Sequence, residues 1–299
     1  MRGGNAVGKI ALSTETAGSH LAAGGVAAGG VAPAPAESSP TWAGLRGIAG
    51  SKPFVAARSF LMFLLLWQLL SIWNGNPIQL PRPLTVFAAL LGLAKDGELW
   101  DNAEISTMRL VISLAVTVVL AVPLGFLLGL SRRAEAYIDP LVELLRPISG
   151  IAWIPLGLFI FGVGGTLPVF IMVYTAFFPL LLNTVAGVRR ADRRLILAAR
   201  TMGLSRSAVI RRVIVPASLP SVMIGFRLGF AGAWTAIVAA ELIGAPSGLG
   251  FAIEWYRELL MSPKVFAYIM CIGFIGYVCD QGLQHLQHRL TPWIDGGTR

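Results

Sequence analysis

Three side chains that could act on a charged solute recur every seven residues along one apolar stretch: Arg227, Trp234 and Glu241. On an α-helix they fall within about 40° of one another, so they are predicted to share a face. A charged side chain deep in an apolar helix is costly unless it faces protein or water, so this face is a candidate lining for a solute path. Arg227 could also pair internally or extend to the cytoplasmic side, and the sequence leaves these alternatives open. Small residues suited to close helix packing occupy the opposite face: Gly225, Gly229, Gly232 and Ala236.

A basic loop, defined here as residues 189–216, lies between two long apolar segments. It carries eight arginines against a single acid, Asp192. Arginine at this density beside apolar spans marks a cytoplasmic loop by the positive-inside bias.

The basic loop is predicted to fold as two short helices bent at a glycine. Residues Leu195–Met202 are good helix formers, and Gly203 follows where a left-handed cap would stop the helix. Ser205 can cap a second helix that runs to about Val213 and ends before Pro216. These features predict a compact structure on the cytoplasmic face.

The composition excludes a soluble domain, because 55% of the 299 residues are hydrophobic and only 13% are charged. The net charge of +9 does not indicate a nucleic-acid partner, since the arginines cluster between apolar segments. Cys271 and Cys279 would lie about 12 Å apart on one helix, beyond the roughly 7 Å limit for a disulfide. Three scattered histidines offer no convincing ligand set, so neither a metal site nor a cofactor is predicted.

The predicted fold is an all-α polytopic membrane protein with six transmembrane helices and the basic loop between helices 4 and 5. The transmembrane domain covers residues 53–288. A disordered Ala/Gly/Pro-rich tail, residues 1–52, precedes it, and a short tail, residues 289–299, follows. Both tails are expected in the cytoplasm, on the same side as the basic loop. The six predicted spans are Phe54–Trp73, Thr107–Leu130, Ile148–Val163, Thr166–Val188, Ala217–Ala240 and Lys264–Leu283.

Several motifs resemble the membrane subunits of bacterial ABC importers. In the basic loop, the spacing of Ala198-Ala199, Gly203 and the Val213–Pro216 run is similar to the EAA loop of that family. The acid that names the motif is replaced by Leu197, which removes a possible salt bridge. Further segments resemble nitrate/sulfonate/taurine-type permeases: L-P-R-P at 80–83, P-L-G-F-L-L-G at 123–129, L-L-N-T-V-A-G-V-R-R at 181–190, G-L-G-F at 248–251 and L-T-P-W at 290–293.

The resemblance implies a permease subunit rather than an enzyme, with ATP hydrolysed by cytoplasmic ABC ATPase subunits. It also implies a homodimer in the bacterial plasma (inner) membrane and an extracytoplasmic substrate-binding protein. Sulfonates, nitrate, bicarbonate and vitamin precursors are substrates of such permeases, and a cationic Arg227 in the path would favour an anionic solute. The residues that match the family's ATPase-coupling loop are Leu197, Ala198, Ala199, Met202, Gly203, Leu204, Ser205 and Pro216.

Two other classes of function remain open. An ion-gradient-driven secondary transporter would carry acids in mid-span on discontinuous helices. The clearest intramembrane acid is Asp280, near the inner end of the last span, which argues against that class. A membrane scaffold without transport activity would not need the polar face of Arg227, Trp234 and Glu241.

Overall fold

The computed structural model describes residues 52–291, with side chains from residue 58 onward. Every regular element in this range is helical, as predicted. The predictions for the N-terminal tail and for the chain from residue 292 onward lie outside the described residues.

The helices are labelled in chain order. A 3₁₀ turn, Gly150–Trp153, and a π-helical turn, Ile210–Ile214, lie between α-helices. The α-helices are α1 Lys52–Asn74, α2 Pro83–Lys95, α3 Glu98–Leu130, α4 Arg132–Leu145, α5 Ile154–Phe161, α6 Thr166–Arg189, α7 Arg193–Thr201, α8 Arg206–Val209, α9 Val215–Gly244, α10 Leu249–Glu258 and α11 Ser262–Leu290.

Four stretches of the described chain are long and apolar enough to cross a membrane: α3, α6, the run from Arg206 to Gly244, and α11. A fifth results if α4 and the segment Gly150–Phe161, which meet at an 84° bend, form one broken span. The predicted first span corresponds to α1, a helix of 23 residues. These helices make the chain a multi-pass membrane protein.

Two glycines of α3 bring it close to α6. A Cβ added at Gly125 would lie 2.6 Å from the Thr184 Cβ, and one added at Gly129 would lie 2.7 Å from the Val188 Cβ. Neither glycine has room for a side chain, so the Gly-x-x-x-Gly pair forms a helix-packing surface.

Helix α9 also packs against α6 through the glycines that the helical wheel placed on one face. A Cβ at Gly225 would lie 2.6 Å from the Asn183 Cβ, and one at Gly229 would lie 3.0 Å from the Ala176 carbonyl oxygen. The predicted small-residue face of α9 is therefore confirmed as a packing face.

Helix α1 is anchored by an aromatic contact to α11. The Trp67 ring stacks on Phe266 with centroids 5.8 Å apart, and its Nε1–H donates to the Pro81 carbonyl at 3.1 Å. Trp67 is one of the tryptophans of the predicted first span, and its polar N–H is satisfied by the turn that precedes α2.

Three segments predicted as loops are helical. Helix α3 begins at Glu98 rather than Thr107, because Glu98 and Asp101 occupy a first turn in which the helix dipole favours carboxylates. Residues 132–145, predicted to form a cytoplasmic connection, form α4. Much of the interval between the predicted spans Ala217–Ala240 and Lys264–Leu283 forms α10.

Candidate coupling and translocation sites

The first helix of the basic loop forms close to the predicted position. It runs from Arg193 to Thr201 rather than from Leu195 to Met202. The shift has a local cause, because the Asp192 carboxylate accepts the Arg194 N–H at 2.8 Å and caps the helix. The single acid of the loop therefore sets where α7 begins.

Gly203 bends the loop as predicted. Its φ of 81° is left-handed, and the Leu204 N–H behind it donates to the Ala199 carbonyl at 3.2 Å. Nothing lies within 4 Å of a Cβ added at Gly203. The backbone conformation, and not lack of space, therefore favours glycine at this position.

The second helix of the loop begins as predicted but does not end as predicted. Ser205 caps α8 by accepting a first-turn N–H. The expected end before Pro216 is not observed, because α8 continues through the π-helical turn Ile210–Ile214 into α9. In that turn the Val215 N–H donates to the Ile210 carbonyl, and Pro216, which has no N–H, occupies the first turn of α9. The wider turn accommodates the proline without breaking the helix.

The predicted coupling residues separate into an exposed set and a buried set. Leu197 and Met202 are 61% and 72% exposed, and Ala198 is exposed between them. Ala199 is only 3% exposed and packs with Leu204 in a small core that also includes Val188 of α6 and Phe126 of α3. This shared core attaches the loop to α3 and α6, and the loop presents a second apolar surface outward.

The inner side of the basic loop borders a cavity of about 490 Å³ near the ends of α3 and α6. The carboxylate of its lining, Glu135, forms an ion pair with Arg189. Several arginines of the sequence therefore line this one cavity. Besides Arg189, they are Arg132, Arg193, Arg200 and Arg206.

On α9, Arg227 faces α11 and binds a carboxylate there. Its Nε and Nη2 donate to the two oxygens of Asp280 at 2.7 and 2.8 Å, which makes a bidentate ion pair. The Gln284 amide, oriented so that its oxygen faces the guanidinium, accepts from Arg227 Nη1 at 3.3 Å. The side chains of the pair are 38% and 32% exposed. Internal pairing, one of the alternatives left open by the sequence, is therefore present.

Trp234 lies on the same side of α9 as Arg227 and packs α9 against α11. It is 9% exposed, and a Cβ added at Gly276 of α11 would collide with its indole. Its ring stacks on Phe230 with centroids 6.4 Å apart. The indole thus fixes the distance between these two helices.

Glu241 is completely buried where α3, α9 and α10 meet. Its carboxylate accepts from Arg109 Nη1 at 2.7 Å, from Ser106 Oγ at 2.8 Å and from the Gly250 N–H at 3.0 Å. The expectation that Glu241 lines a path together with Arg227 is corrected here. Glu241 is the centre of a closed polar network, because α10 covers it where the sequence predicted a loop.

The glycines of the G-L-G-F segment are required by this carboxylate. Gly248 has a φ of 111°, and a Cβ there would lie 2.5 Å from the carboxylate atoms of Glu241. A Cβ at Gly250 would lie 2.8 Å from the Glu241 Cβ. The Ser247 carbonyl and hydroxyl accept from Arg109 at 2.7 and 3.0 Å. The chain that leads into α10 is therefore folded directly around the ion pair.

Two members of the network, Ser106 and Arg109, belong to none of the sequence motifs. A signal was nevertheless present, because Arg109 is a charged residue inside the predicted span Thr107–Leu130, and an intramembrane charge needs a partner. Its partner Glu241 lies 132 residues further along the chain, so spacing could not identify it.

A second polar group, centred on Glu98, ties the start of α3 to α10 and α11. Its carboxylate accepts from the Tyr256 hydroxyl at 2.6 Å and the Tyr268 hydroxyl at 3.0 Å. Burial, and then the hydrogen bond to Glu98, raise the pKa of Tyr256 to about 12, so its hydroxyl stays a donor at neutral pH. The Lys264 ammonium lies 4.4 Å from the Tyr256 ring centroid.

Long apolar helices, with ion pairs between them and a basic loop between two spans, define a multi-pass membrane protein. The chain belongs to the family described as binding-protein-dependent transport system inner membrane component, whose profile matches residues 121–292.

Named relatives are similar over most of their length. A putative ABC transporter permease protein of Methanocaldococcus jannaschii is 39% identical, covering 76% of this chain and 87% of the relative. The taurine transport system permease protein TauC of Escherichia coli is 35% identical, with coverages of 76% and 84%. The bicarbonate transport system permease protein CmpB of Synechococcus elongatus is 32% identical, with coverages of 78% and 86%.

A solved structure shares the fold. It is a chain of the MetNI methionine ABC transporter in an inward-facing conformation, with a TM-score of 0.55 and 17% identity. The match covers 62% of this chain and 93% of that chain.

Proposed function

We propose that this chain is the permease subunit of an ATP-driven importer and that two copies of it form the translocation path. In this proposal, cytoplasmic ABC ATPase subunits hydrolyse ATP, and an extracytoplasmic binding protein delivers the solute. Membership of a family of binding-protein-dependent transport components supports this arrangement. The ion-gradient alternative gains no support, because Glu241 of α9 and Asp280 of α11 are both paired with arginines.

The proposed topology has six spans in the inner membrane of a bacterium, with residues 1–52 and 289–299 in the cytoplasm. The basic loop then lies on the cytoplasmic side, where arginines are favoured. The six spans are α1, α3, the bent pair of α4 and α5, α6, α9 and α11.

The observation that carries the coupling role is the outward apolar surface of the basic loop. Leu197 on α7 and Met202 directly after it are more than half exposed, and the opposite side of α7 is anchored through Ala199. A large exposed apolar surface marks a contact with another protein, and the ATPase is the proposed partner. Because Leu197 replaces the family's acid, this contact would be apolar at that position rather than an ion pair.

Ala198→Trp and Ala199→Trp test this contact as a matched pair. Ala198 is exposed, so an indole there should leave the loop folded but block binding of the ATPase. Ala199 is 3% exposed, so an indole there should disrupt the loop itself and lower the yield of folded protein. Recovery of the ATPase after extraction in mild detergent measures the contact, with Ala198→Ser as the control. Full ATPase recovery with Ala198→Trp would refute the proposed surface.

The solute is proposed to be a small molecule that carries an anionic group. Relatives named for transport of taurine and bicarbonate support this class. Of the three polar residues on α9, Arg227 is proposed to border the path, because its side chain is 38% exposed. Trp234 and Glu241 are 9% and 0% exposed, and are proposed to brace the surrounding helices.

A further inference from the structure

The break between α4 and α5 opens onto a cavity. The helical segments on either side of residues 146–149 meet at 84°. This break and the middle of α6 line a space of about 580 Å³. Irregular backbone at membrane depth is tolerated only where it is buried in protein or lines a water-filled cavity. In the proposed topology the break lies within a span, and its exposed residues line this cavity, so we take the cavity to hold water or a polar solute.

Arg146 is the cationic residue of this cavity. Its side chain is exposed, and it forms no ion pair with any residue in the described range 58–291. Arg227, by contrast, is bound by Asp280 at 2.7 Å, which cancels most of its field at a distance. An unpaired guanidinium attracts an anion more strongly than one whose charge is already balanced by a carboxylate.

Other hydrogen-bond donors face the same space. The Ser149 side chain is exposed at the break. The Asn183 amide nitrogen gives one hydrogen to the Pro179 carbonyl at 2.8 Å, which leaves its second hydrogen for a ligand. The apolar part of the cavity wall is formed by Phe178, Leu182 and Leu228. The cavity therefore has a polar side and an apolar side. A small solute with an oxyanion at one end and a short apolar body matches this arrangement.

We propose that this cavity binds the anionic group of the transported solute and that Arg146 is the charge that selects it. The inference rests on the proposed function and assigns its specificity to particular residues. A sulfonate, carboxylate or bicarbonate oxygen would accept from the Arg146 guanidinium, whose parallel N–H groups suit two oxygens of one group. Ser149 would donate to a remaining oxygen. Arg227 would still border the path, but with its charge already balanced by Asp280.

Charge-selective thiol labelling tests the proposal without knowledge of the solute. Ser149→Cys is introduced into a background with Cys271→Ala and Cys279→Ala, because these two thiols are free. The detergent-solubilised protein is treated with a sulfonate-bearing methanethiosulfonate reagent or with its trimethylammonium counterpart. The ratio of the two rates is the readout, because any effect of Arg146 on the reactivity of the thiolate itself cancels in that ratio.

Each reagent's rate at the thiol introduced by Ser149→Cys is divided by its rate with a small free thiol in solution. We expect this relative rate to be higher for the anionic reagent than for the cationic one. Arg146→Gln should lower the ratio of anionic to cationic rates by about tenfold, and Arg146→Lys should preserve most of it. Arg133→Gln is the matched control, because Arg133 is an exposed arginine of α4 outside the cavity lining, and its removal should leave the ratio unchanged.

An unchanged ratio in Arg146→Gln would overturn the inference, and so would failure of both reagents to reach the thiol introduced by Ser149→Cys. If the ATPase still co-purified in those cases, the proposed permease function would stand and only the assignment of the anion site would fail. Absence of any ATPase partner would instead overturn the permease proposal, while the labelling ratio would still report on the cavity.

Discussion

Glu241→Ala should destabilise the chain far more than removal of a surface charge, because it leaves a buried guanidinium without its carboxylate. The Arg109 side chain is 11% exposed, and after the substitution it keeps only the Ser247 oxygens as acceptors. The Gly250 N–H also loses its acceptor. Removing one partner of a buried ion pair costs about 3–5 kcal/mol, and we expect the free energy of unfolding to fall by that amount.

A double-mutant cycle separates the ion pair from the packing around it. Arg109→Ala leaves the carboxylate with Ser106 and Gly250 as donors, and it should cost a similar amount. In the double variant neither charge is left unpaired, so its cost should be smaller than the sum of the single costs by about 2–3 kcal/mol. The assay is unfolding of the purified protein by sodium dodecyl sulfate in mixed micelles, followed by tryptophan fluorescence.

The surface pair Glu254–Arg257 on α10 is the matched control. It has the same residue types, but its guanidinium is 66% exposed, so each single substitution should cost less than about 1 kcal/mol. If the costs at Glu241 and Arg109 added within about 0.5 kcal/mol, the two residues would not form one buried unit and the reasoning would be refuted.

Three further outcomes are expected. Gly203→Val should reach the membrane but abolish transport, because a β-branched residue is disfavoured at a φ of 81°; normal transport with the ATPase bound would contradict the bent loop. Arg227→Ala and Asp280→Ala should each lower the yield of folded complex, and the double variant should recover part of that yield because no charge is left alone; equal loss in all three would argue against a structural ion pair. Deleting residues 2–45, which lie outside the described structure, should leave insertion and transport near normal, and a large loss at equal expression would show that this tail binds a partner.

The packing faces of α9 could be predicted from sequence because they depend only on local spacing. The wheel placed Gly225 and Gly229 on the face that meets α6, and it placed Arg227 and Trp234 together on the face that meets α11. It failed at Glu241 for a physical reason. A helical wheel gives the direction in which a side chain points but not the residues that it contacts. The residues that contact Glu241 come from α3 and α10.

Helix ends were harder to predict than helix faces. Acidic residues made the start of α3 look like a loop, although Glu98 and Asp101 in fact stabilise its first turn. Pro216 was expected to end a helix, and only the backbone shows that a π-helical turn accommodates it. The cavity beside Arg146 could not be predicted from the sequence either. Pro147 predicts a helix end before it, but not the 84° bend that carries the chain back towards α6.

The unbroken helix from Arg206 to Gly244 has a mechanical consequence. At 1.5 Å per residue its 39 residues extend over about 58 Å, nearly twice the roughly 30 Å hydrocarbon core of a bilayer. One end of this helix belongs to the basic loop, and the other end carries Glu241, which is paired with Arg109. Close contacts with α6 run along α9 from Ser221, which lies beside Gly187, to Gly244, which lies beside Leu167, so the two helices are packed together over most of the span. The points at which the loop can bend relative to this pair of helices are therefore the irregular ones, the π-helical turn and Pro220.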